Sequence, residues 1–485
     1  MKRIINLVGN CRSAISTFFY IAILDVLTVL LIGGLTVDLS PSDYIYFVIT
    51  ILLIITTGLL LTNINLAVCL LIIIFPFENI TFILKMSPYK YDLLRFTPLD
   101  IFIVSAIFCL FLYKSTFKSR ANVIKMKITP GYLLLFALIL FGASSIMWTP
   151  YIIVCVYPIF RLILNACIFM LIVVLLKSEK DIIRAIKTLI AITMITAFGM
   201  LISTLPLGNI SKAYTLANDF IMEFSFYTYQ IRASCFLPNK SGVLLLNIGI
   251  IFSIGLLSQS KDKKEKILLL LIILLFIFTA FHTMARAPII SLFTTIIFLL
   301  FAIKNFRTYF FRNLSIFVFC FMFLLSIFTV THSYIIDSAT SYYPKETIQS
   351  EHSLNDRLKI WGKAINAIED NNAYMYGLGA GGGTYYEDPE VHVHNIILSI
   401  FIDFGFIGLI LFLIIISIAV KMIYVALLNL KEGFAKAILL SASGCIFTLF
   451  IASLIDYDYN LNILWFVLGI SAAIYRHAIS NTNSG

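Results

Sequence analysis

The chain has 485 residues, of which 60% are hydrophobic and only 12% are charged, and its mean hydropathy is +0.99. So little polar surface cannot cover a water-soluble globule, and a soluble fold is therefore excluded. The net charge of +10 is distributed over loops and forms no basic domain, which excludes a nucleic-acid-binding module. We expect an all-α polytopic integral membrane protein.

Apolar runs that are long enough to cross a bilayer recur along the whole chain, and each predicts a helix of roughly 20 residues. They predict about fourteen spans, or about twelve if the shortest are left out. The predicted spans are 14–35, 43–61, 64–77, 98–115, 131–149, 153–176, 182–205, 241–258, 266–285, 288–303, 313–331, 394–420, 434–455 and 460–477. The apolar stretch after Arg12 has no small-residue cleavage site and is typical of a first span.

Basic residues near the span ends predict the orientation, because lysine and arginine are retained on the cytoplasmic side. Most basic loops fall on one side together with both termini, which predicts that both termini are cytoplasmic. Lys85, Lys90 and Arg95 are the exception, since the count places their loop outside.

The chain divides into five regions. N-terminal spans (1–205) precede a first long outer loop (206–240), central spans (241–331), a second long outer loop (332–393) and C-terminal spans (394–485). Unusually long loops in a compact chain tend to carry function, so the two outer loops are the first places to look for a site.

The second long loop contains an amphipathic pattern at 353–369. Ser353 and Asp356 are typical of a helix start. One stripe of the predicted helix is apolar, and it contains Leu354, Leu358, Trp361, Ile365 and Ile368. The pattern fits a helix on the outer membrane surface and fits a short helix packed on the bundle equally well.

A glycine-rich run follows this helix, from Gly377 to Gly383. It suggests a phosphate cradle, but no predicted strand precedes it and no lysine follows at the spacing of a P-loop. A flexible or tightly turned connector is the better interpretation.

Four arginines are predicted on the outer side: Arg161 inside the sixth span, and Arg232, Arg286 and Arg357 in or next to outer loops. Burying an arginine at bilayer depth costs roughly 2.5–3.5 kcal/mol on insertion scales, so Arg161 should have an anionic partner. Guanidinium groups bind phosphate through a bidentate fork. We expect the four to converge on a diphosphate at the headgroup level, although any one alone is explained as well by contact with lipid headgroups.

His394 and Asn395 end the second long loop, and nine residues separate them from Gly405-Phe406-Ile407-Gly408. A histidine there can act as a general base near neutral pH, although a lone histidine beside a span is more often structural. The two glycines, about three to four helical turns below His394, offer a small-residue face for close approach of another helix. His392 and His394, with acidic residues nearby, permit a metal site, but no third ligand has a fixed spacing, and we expect no metal.

The His394-Asn395 pair, the nine-residue gap and Gly405-x-x-Gly408 together resemble the signature of the O-antigen polymerase and ligase family. Upstream residues extend the resemblance: Arg232 with Phe236, Pro238 and Asn239, then Arg286, and then Arg357 with Trp361, Gly377 and Gly379. Asp403 differs, since it stands where the family more often has glutamate. The resemblance covers roughly 230–420.

The resemblance implies a GT-C-type glycosyltransferase that acts on the outer face of the bacterial inner membrane without a cofactor. Its donor would be a glycan on undecaprenyl diphosphate, and its acceptor a lipid-linked repeat unit or a lipid A core. His394 would activate the acceptor hydroxyl, supported by Asn395, Gly405 and Gly408. Arg232 and Arg286, with Arg357 as a third candidate, would hold the diphosphate; Arg161 is our own addition because of its depth.

Length and the number of spans favour a polymerase of repeat units over an O-antigen ligase. A flippase of lipid-linked oligosaccharides is the alternative outside the enzyme class. Membrane lipids surround either protein, no nucleic acid is expected, and a polysaccharide chain-length regulator is a candidate partner.

Overall fold

The computed structural model describes residues 66–77, 82–85, 93–116, 130–149, 152–204, 239–283, 286–302, 354–382, 393, 395–431, 433–454 and 461–482. The predicted spans 14–35, 43–61 and 313–331, together with Arg232 and His394, lie outside the described residues.

Helices make up almost all of the described chain, as the long apolar runs predict. They are α1 (Ala67–Ile74), α2 (Pro98–Thr116), α3 (Pro130–Ser144), α4 (Ile152–Leu175), α5 (Glu179–Thr204), α6 (Asn239–Gln259), α7 (Lys263–His282), α8 (Arg286–Ala302), α9 (Leu354–Asp370), α10 (Ile396–Asn429), α11 (Phe434–Ser453) and α12 (Asn462–Thr482). Within the described residues, five helices (α4, α5, α6, α10 and α11) are long and apolar enough to cross a membrane. The expected polytopic helical membrane protein is therefore confirmed.

One short hairpin interrupts the helical pattern. Strand β1 (Phe82–Lys85) pairs antiparallel with strand β2 (Leu93–Phe96), with Phe82 opposite Phe96. The hairpin lies in the connection that contains Lys85, Lys90 and Arg95, the exception to the predicted orientation. The sequence analysis missed it, because each strand has only four residues and the apolar periodicity of so short a run is ambiguous.

The bundle is built around two central helices. Helix α6 packs against α5, α7, α8 and α11, and α12 packs along α4, α10 and α11. Small residues permit close approach in the first group: a Cβ atom at Gly249 would meet the Thr193 side chain of α5 at 2.7 Å and the Phe276 ring of α7 at 2.8 Å. Close contact between backbones is the usual way in which helices associate in lipid.

Helix α10 is broken at Gly405, where the backbone adopts φ 62° and ψ −162°. A straight helix of its 34 residues would be about 51 Å long, whereas the 20 residues of α11 extend about 30 Å. Both ends of α10 nevertheless meet the ends of α11. The Asn395 Nδ2 donates to the Leu454 carbonyl, and only residues 430–433 separate the two helices. The segment 396–404 must therefore turn aside from the axis of the rest of α10.

This break corrects two expectations. The segment after His394 does not continue straight into a span, so counting helical turns from Gly405 does not give the depth of His394. In addition, the element that approaches Gly405 closely is not a helix but the connector after α9, since a Cβ atom at Gly405 would collide with Met375 and lie 2.6 Å from the Gly377 nitrogen. We call this connector, residues 374–382, the glycine turn.

The glycine turn is joined to the break by four backbone hydrogen bonds. Leu378 and Gly379 donate to the carbonyls of Ile402 and Asp403, at 2.7 and 3.0 Å. In the opposite direction, the amides of Phe406 and Ile407 donate to the carbonyls of Tyr374 and Met375, at 2.9 and 3.3 Å. Gly377, Gly379 and Gly381 have φ of 72°, 94° and 74°. The run is therefore a tight turn, as preferred from the sequence, and not a phosphate cradle.

We predict that Gly377→Ala destabilises the protein by about 2–6 kcal/mol, the sum of backbone strain and overpacking. A methyl group at this positive-φ position would collide with the backbone of Asp403 and Phe404. The measurement is thermal unfolding of the purified protein in detergent. Gly362→Ala is the matched control: beyond the adjacent backbone of α9, nothing lies within 4 Å of its Cβ position, and alanine there should stabilise by up to about 1 kcal/mol. Equal melting temperatures for the two variants would contradict the role given to the glycine turn.

Candidate functional site

The residues on both sides of His394 are held by hydrogen bonds. On one side, the Trp361 indole Nε1 donates to the Val393 carbonyl at 2.8 Å, and Val393 is only 7% exposed. On the other side, Asn395 is the N-cap of α10: its Oδ1 accepts from the Leu398 amide at 3.0 Å, while its Nδ2 donates to the Leu454 carbonyl at 2.9 Å. These bonds fix the two residues that flank His394 in the sequence.

A small apolar core supports this arrangement and is separate from the main core of the bundle. It joins α9, the glycine turn and segment 396–404, and its buried members are Ala364, Ile368, Ala373, Leu378, Val393 and Ile402. Trp361 and Phe401 pack against it. The core explains why α9 is attached to α10.

Helix α9 confirms the amphipathic helix predicted at 353–369. It packs on the bundle through α10. The predicted stripe is divided, because Ile368 is buried whereas Leu358 and Ile365 are 52% and 46% exposed. The packed face is therefore rotated from the predicted one, and the exposed edge leaves apolar surface that a bilayer can cover.

The three loop arginines are placed only in part. Arg286 is the first residue of α8, whose first turn is anchored where the buried Asn247 of α6 donates from Nδ2 to the Pro288 carbonyl at 2.8 Å. Arg357 lies in the first turn of α9, four residues before Trp361. The side chains of both, and all of Arg232, lie outside the described residues. The predicted convergence of the arginines stays a prediction.

Arg161 is described in full and has the anionic partner that its depth requires. Its Nη1 lies 2.6 Å from the Oδ1 of Asp100, and these residues are 6% and 1% exposed. The guanidinium carbon also lies 5.9 Å from the centre of the Tyr157 ring. The ion pair joins α2 to α4 inside the bundle.

Asp100 was missed by the sequence analysis, although a signal was present. Thr97-Pro98-Leu99-Asp100 is a capping box with proline at the first helical position. The Thr97 amide donates to Asp100 Oδ2 at 2.8 Å, and the Asp100 amide donates to Thr97 Oγ1 at 3.2 Å. The box therefore fixes the carboxylate that meets Arg161.

The spacing of Gly405 and Gly408 has a physical basis in this site. Gly405 supplies the left-handed backbone of the break. Gly408 gives space to Phe404, because a Cβ atom there would collide with the Cβ of Phe404, and the ring of Phe141 on α3 lies 3.6 Å away. Asp403 is 7% exposed, and its carbonyl accepts from Gly379.

No group of three or more histidine, cysteine, aspartate or glutamate side chains that could hold a metal ion is present in the ranges given above. Residues 387–392 and His394, on which the metal alternative depended, lie outside those ranges.

The fold defines a polytopic helical membrane protein. Residues 269–413 match the family model described as O-antigen ligase, which confirms the resemblance to the O-antigen polymerase and ligase family. The matched region contains Arg286, Arg357, His394 and the Gly405-x-x-Gly408 pair, whereas Arg161 and Arg232 lie before it. No curated protein matches the chain. The family match supports a membrane enzyme of O-antigen or surface polysaccharide assembly.

We predict that the Asp100–Arg161 pair stabilises the fold and is dispensable for glycan transfer. Breaking a buried pair from one side costs about 3–5 kcal/mol, so Asp100→Asn and Arg161→Met should each lower the melting temperature and the amount of protein in the membrane. The double variant Asp100→Asn/Arg161→Met removes both charges but keeps an acceptor for the Thr97 amide, so it should recover most of the melting temperature and of the amount of protein. It should also retain glycan transfer in cells. A double variant that folds like wild type but transfers no glycan would instead place Arg161 in the substrate site.

Proposed function

We propose that the chain polymerises undecaprenyl-diphosphate-linked oligosaccharide repeat units on the outer face of the bacterial inner membrane. The observation that carries the proposal is the anchoring of the two residues that flank His394 in the matched region: the Val393 carbonyl is held by Trp361, and Asn395 is held to Leu454. A residue that must meet a substrate hydroxyl benefits from such anchoring, because proton transfer requires a positioned base.

In the proposed reaction, the His394 imidazole takes the proton from an acceptor hydroxyl. The hydroxyl oxygen then forms a bond to the anomeric carbon of the donor glycan, and the bond from that carbon to the diphosphate oxygen breaks. Undecaprenyl diphosphate leaves, and attack from the opposite face inverts the anomeric centre. In a polymerase, the donor carries the growing chain and the acceptor is a second lipid-linked repeat unit.

The leaving diphosphate requires positive charge, which Arg232, Arg286 and Arg357 would supply from three separate segments. Helical spacing places position 357 on the same side of α9 as Trp361 and Ala364, which supports its approach to the end of α10. The anchored first turn of α8 supports a defined position for Arg286. Arg161 is the least favoured member of the set, because Asp100 already neutralises its charge.

The proposed orientation places both termini in the cytoplasm and the site outside. Exposed basic residues support it, since they occur at the ends of helices opposite to Asn395. Lys177 precedes α5 and Lys180 lies in its first turn, while Lys261 precedes α7 and Lys263 is its first residue. Lysines of this kind are typical of cytoplasmic loops.

An O-antigen ligase, which transfers finished polymer to a lipid A core, is the second candidate, and the description of the matching family favours it. The same base and the same arginines would serve that reaction. The enzyme family gives no support to the flippase considered from the sequence.

We predict that His394→Ala abolishes complementation of a strain that lacks the gene. General-base catalysis contributes about 10²–10⁴-fold, so its loss should remove the glycan ladder on gels. His477→Ala, on α12, is the control and should retain the ladder. Single repeat units still attached to the final acceptor would indicate a polymerase, and loss of all attached glycan with accumulating lipid-linked polymer would indicate a ligase. A normal ladder with His394→Ala would overturn the proposed base.

We predict that Arg286→Ala lowers the transfer rate in isolated membranes by about 10²–10³-fold, which is typical of removing one group that stabilises developing charge. Arg184→Ala is the matched control, since its exposed guanidinium only lies near Asp181, at 3.8 Å. The donor is lipid-linked glycan extracted from cells that lack the gene. Equal rates for the two variants would remove Arg286 from the proposed diphosphate site.

A further inference from the structure

Trp361 holds the peptide group that leads directly into His394. The Val393 carbonyl and the His394 amide belong to the same planar peptide unit. The hydrogen bond of 2.8 Å from Trp361 Nε1 to the Val393 oxygen therefore restrains the plane from which His394 begins. After His394, the side chain of Asn395 restrains the chain through Leu398 and Leu454.

Trp361 itself belongs to a rigid unit. Helix α9 continues into the glycine turn through hydrogen bonds from the Ala373 amide to the Ile368 carbonyl, at 2.9 Å, and from the Gly377 amide to the Ala373 carbonyl, at 2.7 Å. The glycine turn then joins α10 on both sides of Gly405. The indole packs against the small core that contains Val393 and Ile402. The glycine turn and the small core therefore both fix the position of Trp361 relative to α10.

Donation by the indole is not a general requirement for packing tryptophan in this chain. The Nε1 of Trp148 is also buried, and it has no hydrogen-bond partner within the part of the chain that the structure describes. Its ring packs beside Phe141 and Tyr376, with ring centres 5.8 and 6.0 Å away. Trp148 therefore provides a matched control for the loss of an indole N–H.

We infer that Trp361 is a positioning residue for glycan transfer, which sets the approach of the His394 imidazole to the acceptor hydroxyl through the Val393 carbonyl. The inference rests on the proposed function, since it needs His394 to act as the base. Trp361 does not touch the substrate in this proposal. Its removal should therefore slow the chemical step without weakening substrate binding.

The experiment compares Trp361→Phe, which keeps an aromatic ring but loses the N–H donor, with Trp148→Phe. Transfer is measured with purified protein in detergent and with lipid-linked glycan extracted from cells that lack the gene. We expect Trp361→Phe to lower kcat by about 10- to 100-fold with KM unchanged within about 2-fold, because small misplacements of a catalytic group have effects of this size. Trp148→Phe should change neither value by more than about 2-fold.

A double-variant cycle separates positioning from general loss of structure. If Trp361 acts through His394, adding Trp361→Phe to His394→Ala should not lower the residual rate further. A further loss equal to that in the wild-type background would overturn the inference, as would an increase in KM with kcat unchanged. Full activity of His394→Ala alone would be a different result, because it would refute the proposed base itself.

Discussion

The site depends on the pairing between the broken helix and the glycine turn. A helix that breaks inside a protein leaves amides and carbonyls without partners, and an unpaired buried group costs about 1–3 kcal/mol. The cost rises in a membrane, where water cannot replace the missing partner. Four groups of α10 around Gly405 find partners in the glycine turn, two as donors and two as acceptors. The break and the turn therefore require each other, since neither is stable in this form alone.

Two further interactions build a frame around this pairing, and each joins segments that are distant in sequence. The Asp100–Arg161 pair connects α2 to α4, and the bond from Asn247 to the Pro288 carbonyl connects α6 to the start of α8. Both are buried, so they restrain helices at positions where lipid offers no competing hydrogen bonds. The expected consequence is that segment 396–404 is supported by a rigid bundle on one side and by α9 on the other.

The helices of the described region and the amphipathic helix α9 could be predicted from the sequence, because apolar periodicity is a local property. The break at Gly405 could not be derived from periodicity, since Phe404 and Phe406 continue the apolar pattern across it. The orientation of α9 was only partly predicted: the stripe correctly contains Trp361 and Ile368, but which edge is buried depends on the glycine turn. The partner of Arg161, Asp100, lies 61 residues away in the sequence. A local sequence pattern does not predict a contact between residues so far apart. The sequence does mark Asp100 as a helix cap.

The spacing of the family signature has a direct structural meaning in this chain. Asn395 starts α10 as its N-cap, and Gly405 ends the first segment by allowing a positive φ. The nine residues between them therefore set the length of that segment, about 13 Å. One additional residue would rotate its end by about 100° and move the N-cap away from the Leu454 carbonyl. Gly408 then accommodates Phe404, which the break brings over the following turn.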